Sequence, residues 1–589
     1  MGAIPEADPD EPVETKPFKF VTGYDARFPN MNQTKHCWQN YVDYYKCINA
    51  KGEDFRPCRQ FYLAYRSLCP KSWTDRWDDQ RVLDINQSGC RDKMGFASSI
   101  KYILGFSAAF STLAAADICQ TLKQQNENVD YAVSIEYETE VNHYWSAACA
   151  DLRPLCMVFP SSAEQVADIV RTLQDTDDFF AVKSGGHMPN NGFASIQNGV
   201  LISTKKLNQV IYDPDTQTAV VGPGLAWEDA QKGLDGTDRT VVGGRLGGVG
   251  VGGYMLGGGL SFLSSQYGWA ANNVVNFQVV LANATIVNAN AKENTDLFAA
   301  LKGGGNNFGI VTAYTLQTHP ISEKVWGGNY VFDSKQTPQV LEAVRSFTEN
   351  YPDDKAAVIV TTEHAAIIDT WIMFLFYDGP SPPEGVFSNF TAIGPVIDST
   401  KTWDSYYDLL KNNDAFILHG QRYTIATETT PVPNKTVGAE VMQSYYDHFF
   451  NVSSSILEVT GLIGSLAFQP MPRTITSKAK ALGGDLLDFP TDQDYIIFEM
   501  DFSYSFAIDD EKVDAANQQL YNGLGQLVEK HIDDGLLPDV YRPLFMNDAY
   551  YRQDYWSRLR TKETALQTRL KYDPEGFFQK RTSGGFRLN

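Results

Sequence analysis

Gly243-Gly-Arg-Leu-Gly-Gly-Val-Gly-Val-Gly-Gly-Tyr-Met-Leu-Gly-Gly-Gly259 is the most informative stretch of this chain. Ten of its 17 residues are glycine, a density whose cost in backbone entropy a surface loop does not explain. A bulky ligand against the backbone does, because glycine allows close approach and positive φ. The nicotinamide dinucleotide fold needs a G-x-G-x-x-G turn and an acid about 20 residues later. Here Gly250-x-Gly252-x-x-Met255 lacks the third glycine, and Ala270 to Asn273 contains no acid.

Upstream, Ser161 to Thr172 has a serine cap and helical periodicity, and Phe179 to Lys183 is an apolar strand running into Ser184-Gly185-Gly186-His187. Backbone N–H groups of such a strand-to-glycine turn form an anion-binding nest. Downstream, a helix capped near Asn294 or Thr295 ends in Gly303-Gly304-Gly305-Asn306-Asn307-Phe308-Gly309-Ile310 and passes into a strand.

These three segments, in this order, resemble the berberine bridge enzyme-like branch of the vanillyl-alcohol oxidase superfamily over about Asn142 to Thr318. The likeness returns in Phe545-Met-Asn547-Asp548-Ala and in Lys571-Tyr-Asp-Pro-Glu-Gly-Phe-Phe-Gln579. The resemblance implies an α+β PCMH-type FAD-binding domain (117–321), an inserted α+β substrate domain whose antiparallel sheet roofs the flavin (322–536), and a C-terminal segment returning to the first domain (537–589). It makes His187 the residue linked covalently to FAD. Ser184, Gly185, Gly186, Gly248, Val249, Gly252, Gly253, Gly258, Gly309, Ile310 and Asn547 are expected around the cofactor. Many relatives add a second bond from a cysteine at the position held here by Leu246, so a single histidyl link is expected. Tyr254, Phe545 and Asp548 also depart from the family pattern, which implies a different substrate pocket.

Flavin oxidation needs a base for the O–H or N–H proton beside the C–H that gives up its hydride. Asp494 to Phe506 alternates, putting Glu499, Asp501, Ser503 and Ser505 on one face and Phe498, Met500, Phe502, Tyr504 and Phe506 on the other. If the polar face looks at the flavin, Glu499 or Asp501 is the base; if it looks at water, both are merely solvated. Tyr254 is a further catalytic candidate. Gln421, Tyr423 and Gln469 could orient substrate.

The rest of the 589 residues divides sharply. Residues 1–93 hold 14 basic and 14 acidic residues, leaving 35 basic against 57 acidic to carry the whole net charge of -22. So acidic a chain, with no basic patch, does not point to nucleic acid. Cys37, Cys47, Cys58 and Cys69 crowd into one stretch, with nine residues inside the first pair and ten inside the second. Each pair lies near one face of its own helix, so two bridges can staple an all-α hairpin. Zinc prefers closer ligand pairs, and no metal site is expected. The surrounding F-P-N-M-N-Q-T-K-H-C-W-Q-N-Y and L-C-P-K-S-W-T-D-R-W-D-D-Q-R resemble cytochrome c oxidase subunit six-B. That resemblance assigns about residues 1–90 to a mitochondrial intermembrane-space module with bridges Cys37–Cys69 and Cys47–Cys58.

Between the modules, 94–116 has a basic start, an apolar run and small residues, the three parts of a secretory signal. The run is too short to span a bilayer. Sequons at Asn283, Asn389, Asn434 and Asn451 agree with secretion of the larger module. A bridge between Cys119 and Cys156 is expected, leaving Cys149 free or paired with a leftover thiol, while Cys90 belongs to neither module. A signal cannot act from mid-chain, so the expectation is two joined genes. The second encodes a secreted FAD oxidase taking a hydride from an alcohol, sugar or secondary metabolite, with oxygen as acceptor. The alternative is a structural respiratory-chain subunit.

Overall fold

The computed structural model describes residues 34–51, 55–69, 74, 118–125, 128–132 and 134–589. The signal-like segment 94–116 and Cys90 lie outside the described residues. The chain separates into two compact units, 1–104 and 105–589.

In the first unit, α1 (Thr34–Lys51) and α2 (Arg59–Leu68) form a hairpin. Cys37 near the start of α1 bonds Cys69 just after α2, and Cys47 near the end of α1 bonds Cys58 just before α2, which fixes the helices antiparallel. Between them Tyr41 and Tyr65 are buried with ring centroids 5.1 Å apart, an edge-on aromatic contact that fills a core too small to stand without the bridges.

The second unit opens with β1 (Val129–Asp130) and β2 (Cys156–Val158), continuing through α3 (Ala163–Gln174), β3 (Phe180–Lys183) and β4 (Val200–Ser203). The sheet order is β1-β2-β4-β3, with the last three strands parallel. The Ser162 hydroxyl caps α3 by accepting from the Gln165 amide, and Val166, Ile169, Val170 and Leu173 pack on Val158, Phe180, Val200 and Ile202. Cys119 and Cys156 are bonded, tying the helical residues 118–125 to β2.

Five antiparallel strands come next: β5 (Val210–Asp213), β6 (Thr218–Val221), and, after the short helix α4 (Val251–Leu256), β7 (Val274–Val280), β8 (Ile286–Asn290) and β9 (Ile310–Gln317). Their order is β5-β6-β9-β7-β8. The glycine-rich segment leads into α4 along the edge of this sheet's core, and Tyr314 on β9 donates to the Gly252 carbonyl at 2.8 Å.

The third layer is an eight-stranded antiparallel sheet built mainly from β10 (Val325–Asp333), β11 (Ala356–Ala365), β12 (Ile368–Tyr377), β13 (Arg422–Pro431), β14 (Ile463–Met471) and β15 (Tyr495–Tyr504), in the order β10-β12-β11-β14-β15-β13. Helices α5 (Thr337–Glu349), α6 (Gly438–Ser454) and α7 (Asp510–Asp533) accompany it. One face of the sheet shares an apolar core with them, including Phe498, Met500, Phe502 and Tyr504 of β15. The other face looks back at the first two layers.

The chain then returns to the first layer. Ser583 donates its amide to the Phe180 carbonyl at 2.9 Å, and the Asn307 and Trp556 side chains both donate to the Phe586 carbonyl at 2.9 Å.

Candidate active site

A cavity of about 320 Å³ lies between the strand-and-glycine layers and the roof sheet. Its walls come from the segments singled out by sequence: Ser184 to His187, Val249, Gly250 and Gly252 to Tyr254, Gly309 and Ile310, and Asn547, with Glu499 reaching in from β15.

The floor consists of two loops packed backbone to backbone. A Cβ on Gly185 would lie 2.5 Å from the Gly250 Cα, and one on Gly250 would lie 2.5 Å from the Gly185 Cα. The Ser184 hydroxyl locks the pair, accepting from the Gly252 amide at 3.1 Å and donating to the Pro223 carbonyl. Gly253 differs. It sits inside α4, yet a Cβ there would meet nothing within 4 Å. Glycine inside a helix costs about 1 kcal/mol relative to alanine, and no protein atom here offsets that. The space it leaves opens on the cavity, a cradle suited to a planar ligand such as a flavin.

His187 ends the first loop. Its ring is stacked on Trp145 with centroids 4.5 Å apart and planes 3° from parallel, and Trp145 stacks in turn on Tyr423 at 4.1 Å. The Trp145 amide donates to the Gly186 carbonyl at 3.1 Å. Burial, with a smaller contribution from His419, pulls the His187 pKa down to about 4, so the ring is neutral and one nitrogen keeps its lone pair. Beneath it, Lys183 and Glu140 form a buried ion pair at 2.6 Å, to which Ser203 donates a further hydrogen bond. Sequence reasoning passed over Trp145 and Glu140. Trp145 stands 39 positions before Ser184, and nothing local in sequence marks either it or Glu140.

Two residues expected at the cofactor, Gly248 and Gly258, are not among those lining this cavity. Gly248 is exposed and gives its amide to Asp414 Oδ1 at 3.0 Å, so it braces the loop from outside. Gly258 takes a φ of +112° and faces Leu487 and Phe545, a backbone role that keeps it off the cavity wall. Asn547 lines the cavity but spends both ends of its amide on the glycine segment, donating to the Tyr254 carbonyl at 3.0 Å and accepting from the Gly259 amide at 3.2 Å.

The polar face of β15 turns inward. Glu499 lines the cavity, whereas Asp501 does not, although both point to that side. Burial raises both carboxyls above the usual range, and for Asp501 the charges of Glu499, Asp548 and Glu363 raise it further. The Arg245 guanidinium opposes the rise at Glu499 and Asp548, while donating to Gln469, whose own amide donates to Asp548 at 2.8 Å. The Tyr254 hydroxyl is buried without a partner, and burial pushes its ionisation up. Tyr254 therefore keeps its proton at neutral pH. Gln421 accepts from Ser505 and Tyr423 donates to the Leu418 carbonyl, which fixes the strip of roof beside Trp145. Cys149 is free and buried, its thiol pushed up to about 12, which makes it unreactive.

A glycine floor, a neutral histidine and a carboxylate roof around one cavity define an FAD-dependent oxidoreductase. Residues 154–290 match the FAD binding domain family, and residues 26–91 match cytochrome oxidase c subunit VIb. The chain is 47% identical to an uncharacterized FAD-linked oxidoreductase of Arthroderma benhamiae, over 82% of this chain and 98% of that one. It is 31% identical to the FAD-dependent monooxygenase prx3 of Penicillium roqueforti, over 84% and 98%. Berberine bridge enzyme from Eschscholzia californica shares the fold, with a TM-score of 0.62 at 16% identity over 80% of this chain and all of that one. The protein belongs to the FAD-linked oxidoreductases represented by these relatives, with the fold of berberine bridge enzyme and a preceding region, 26–91, that matches subunit VIb.

Proposed function

We propose that residues 105–589 form an oxidase that removes a hydride and a proton from an alcohol, sugar or secondary metabolite, with Glu499 as the base and oxygen as the final acceptor. The observation that carries this reading is Glu499, a carboxyl of raised pKa on the cavity wall opposite the glycine floor. FAD, when bound, supplies the hydride acceptor. Ser184, Gly185, Gly186, Val249, Gly252 and Gly253 would hold it, and the neutral His187 nitrogen would carry it covalently. The unpartnered Tyr254 hydroxyl would donate to a bound group, Arg245 holds Gln469 and through it Asp548 in place, and the stacked Trp145 and Tyr423 fix the His187 ring. Glu499 accepts the substrate O–H or N–H proton as the adjacent C–H is broken.

A panel of alcohols, sugars and aromatic metabolites, read by peroxide release, tests the reading. Peroxide from the wild type that falls at least about 100-fold in Glu499→Gln supports it; wild-type turnover in that variant removes Glu499. Labelled oxygen found in the organic product instead of in peroxide would favour the monooxygenase reading that the Penicillium relative's name suggests. For the covalent link, His187→Ala is expected to release its yellow colour on denaturation, while the wild type keeps it.

Secretion of this unit is supported by the Cys119–Cys156 bridge and by the exposure of all four sequon asparagines, Asn283, Asn389, Asn434 and Asn451. A mobility shift of secreted material after endoglycosidase treatment is the expected result. The match over residues 26–91 favours a separate role for the first unit, as a subunit of the mitochondrial oxidase.

A further inference from the structure

Three strands of the roof carry a row of polar side chains that the reaction as proposed does not use. Glu363 on β11 pairs with Ser465 on β14, and Ser465 pairs with Asp501 on β15. Direct cross-strand neighbours have Cβ atoms about 4.5–5.5 Å apart, and the Ser465 hydroxyl donates to Glu363 Oε2 at 2.5 Å. Glu499 stands two residues before Asp501 on the same face. Asp501 Oδ1 is buried without a hydrogen-bond partner, an arrangement that is costly unless a proton or ligand answers it. At its far end the row approaches solvent. Glu363 lies two residues before the end of β11, and the turn that follows carries Ile367, 95% exposed.

We propose that Ser465, Asp501 and Glu363 form a proton path that joins Glu499 to solvent along the roof. The proposal rests on the reading of Glu499 as the base. A proton arriving at Glu499 moves to Asp501, through the Ser465 hydroxyl to Glu363, and out at the β11–β12 turn. Each group gives up the proton it holds as it receives the next, so only O–H bonds form and break and one proton leaves for each one taken up. Burial, together with the charge of Glu499, brings the Glu363 carboxyl to about 7 against the pull of Ser465, a value suited to exchange with neutral water. The other charged or titratable groups that face the row are Asp548, Arg245 and Tyr423. The path would empty the cavity of substrate protons during reduction and return a proton when peroxide forms.

The test needs no substrate. The flavin-loaded protein is photoreduced without oxygen, using light and EDTA, then mixed in weak buffer with ferricyanide and a pH indicator. Two ferricyanides take two electrons, and the reoxidised cofactor sheds one proton. In the wild type, proton release should keep pace with recovery of the yellow colour. In Glu363→Gln and Asp501→Asn the colour should recover at the wild-type rate while the proton lags at least about tenfold, and Glu363→Asp should restore the pace. Ser465→Ala, the mildest change, serves if the carboxyl variants do not fold. Damage to the fold would slow the colour or lose the flavin; it would not separate the two signals. Proton release that keeps pace with colour in these variants overturns the path. That result leaves Glu499 standing, because the base is judged by peroxide from the substrate panel.

Discussion

Gly253 shows how much one missing methyl group can say. A Cβ there meets no protein atom, so Gly253→Ala should raise the stability of the flavin-free protein by up to about 1 kcal/mol and sharply weaken FAD retention, measured by thermal melts with and without cofactor. Gly185→Ala must behave differently. Its Cβ would strike the Gly250 Cα, and the variant should fail to accumulate as folded protein. Glu363 gives a pH signature. Its native carboxyl sits near 7, above the ordinary 4.5, so the native state holds a proton that the unfolded chain releases between these values, and wild-type stability falls as pH rises through that window. Glu363→Gln should therefore be more stable than wild type above pH 7, and the advantage should vanish below about pH 4.5. Each unit of the elevation is worth about 1.4 kcal/mol. Melting curves across pH 4 to 9 check the sign.

Among the elements, the period-two alternation in Asp494 to Phe506 separates the two faces of β15: Phe498, Met500, Phe502 and Tyr504 share the apolar core of the helices α6 and α7, while Glu499 on the other face meets the cavity and Phe506, past the strand's end, is exposed. Which face turned toward the flavin could not be read locally. That depends on β11, β13 and β14, far away in sequence. The helix expected over Ser161–Thr172 forms over Ala163–Gln174, a two-residue shift set by the Ser162 cap. The glycine segments were legible since their composition is a direct imprint of the ligand. Trp145 and Glu140 were not, because their roles come from stacking on His187 and pairing with Lys183 across the fold. The Cys119–Cys156 bridge closes a sequence separation of 37 and should contribute about 3–4 kcal/mol. Cys119→Ser combined with Cys156→Ser is expected to lower the melting temperature without altering the visible flavin spectrum.

Over the whole molecule, charge and cysteine distribution change near the start of the acidic part, and the two family matches fall on either side of the divide between the two compact units. Residues 105–589 expressed alone should fold and bind FAD with the affinity of the full chain, checked by flavin absorbance and equilibrium titration. A single transcript and a single 65.6 kDa band carrying both halves would sink the view that two genes were joined. The return of the chain to β3 and to Asn307 through Ser583 and Phe586 adds a condition on biosynthesis. The ribosome delivers the glycine floor early but its closing residues more than 300 positions later, so the floor must wait, open and exposed, through synthesis of the entire roof. Flavin loading then belongs after translation of Phe586, and a nascent chain stalled anywhere in the roof is a target for chaperones, with a cofactor site drafted and not yet shut.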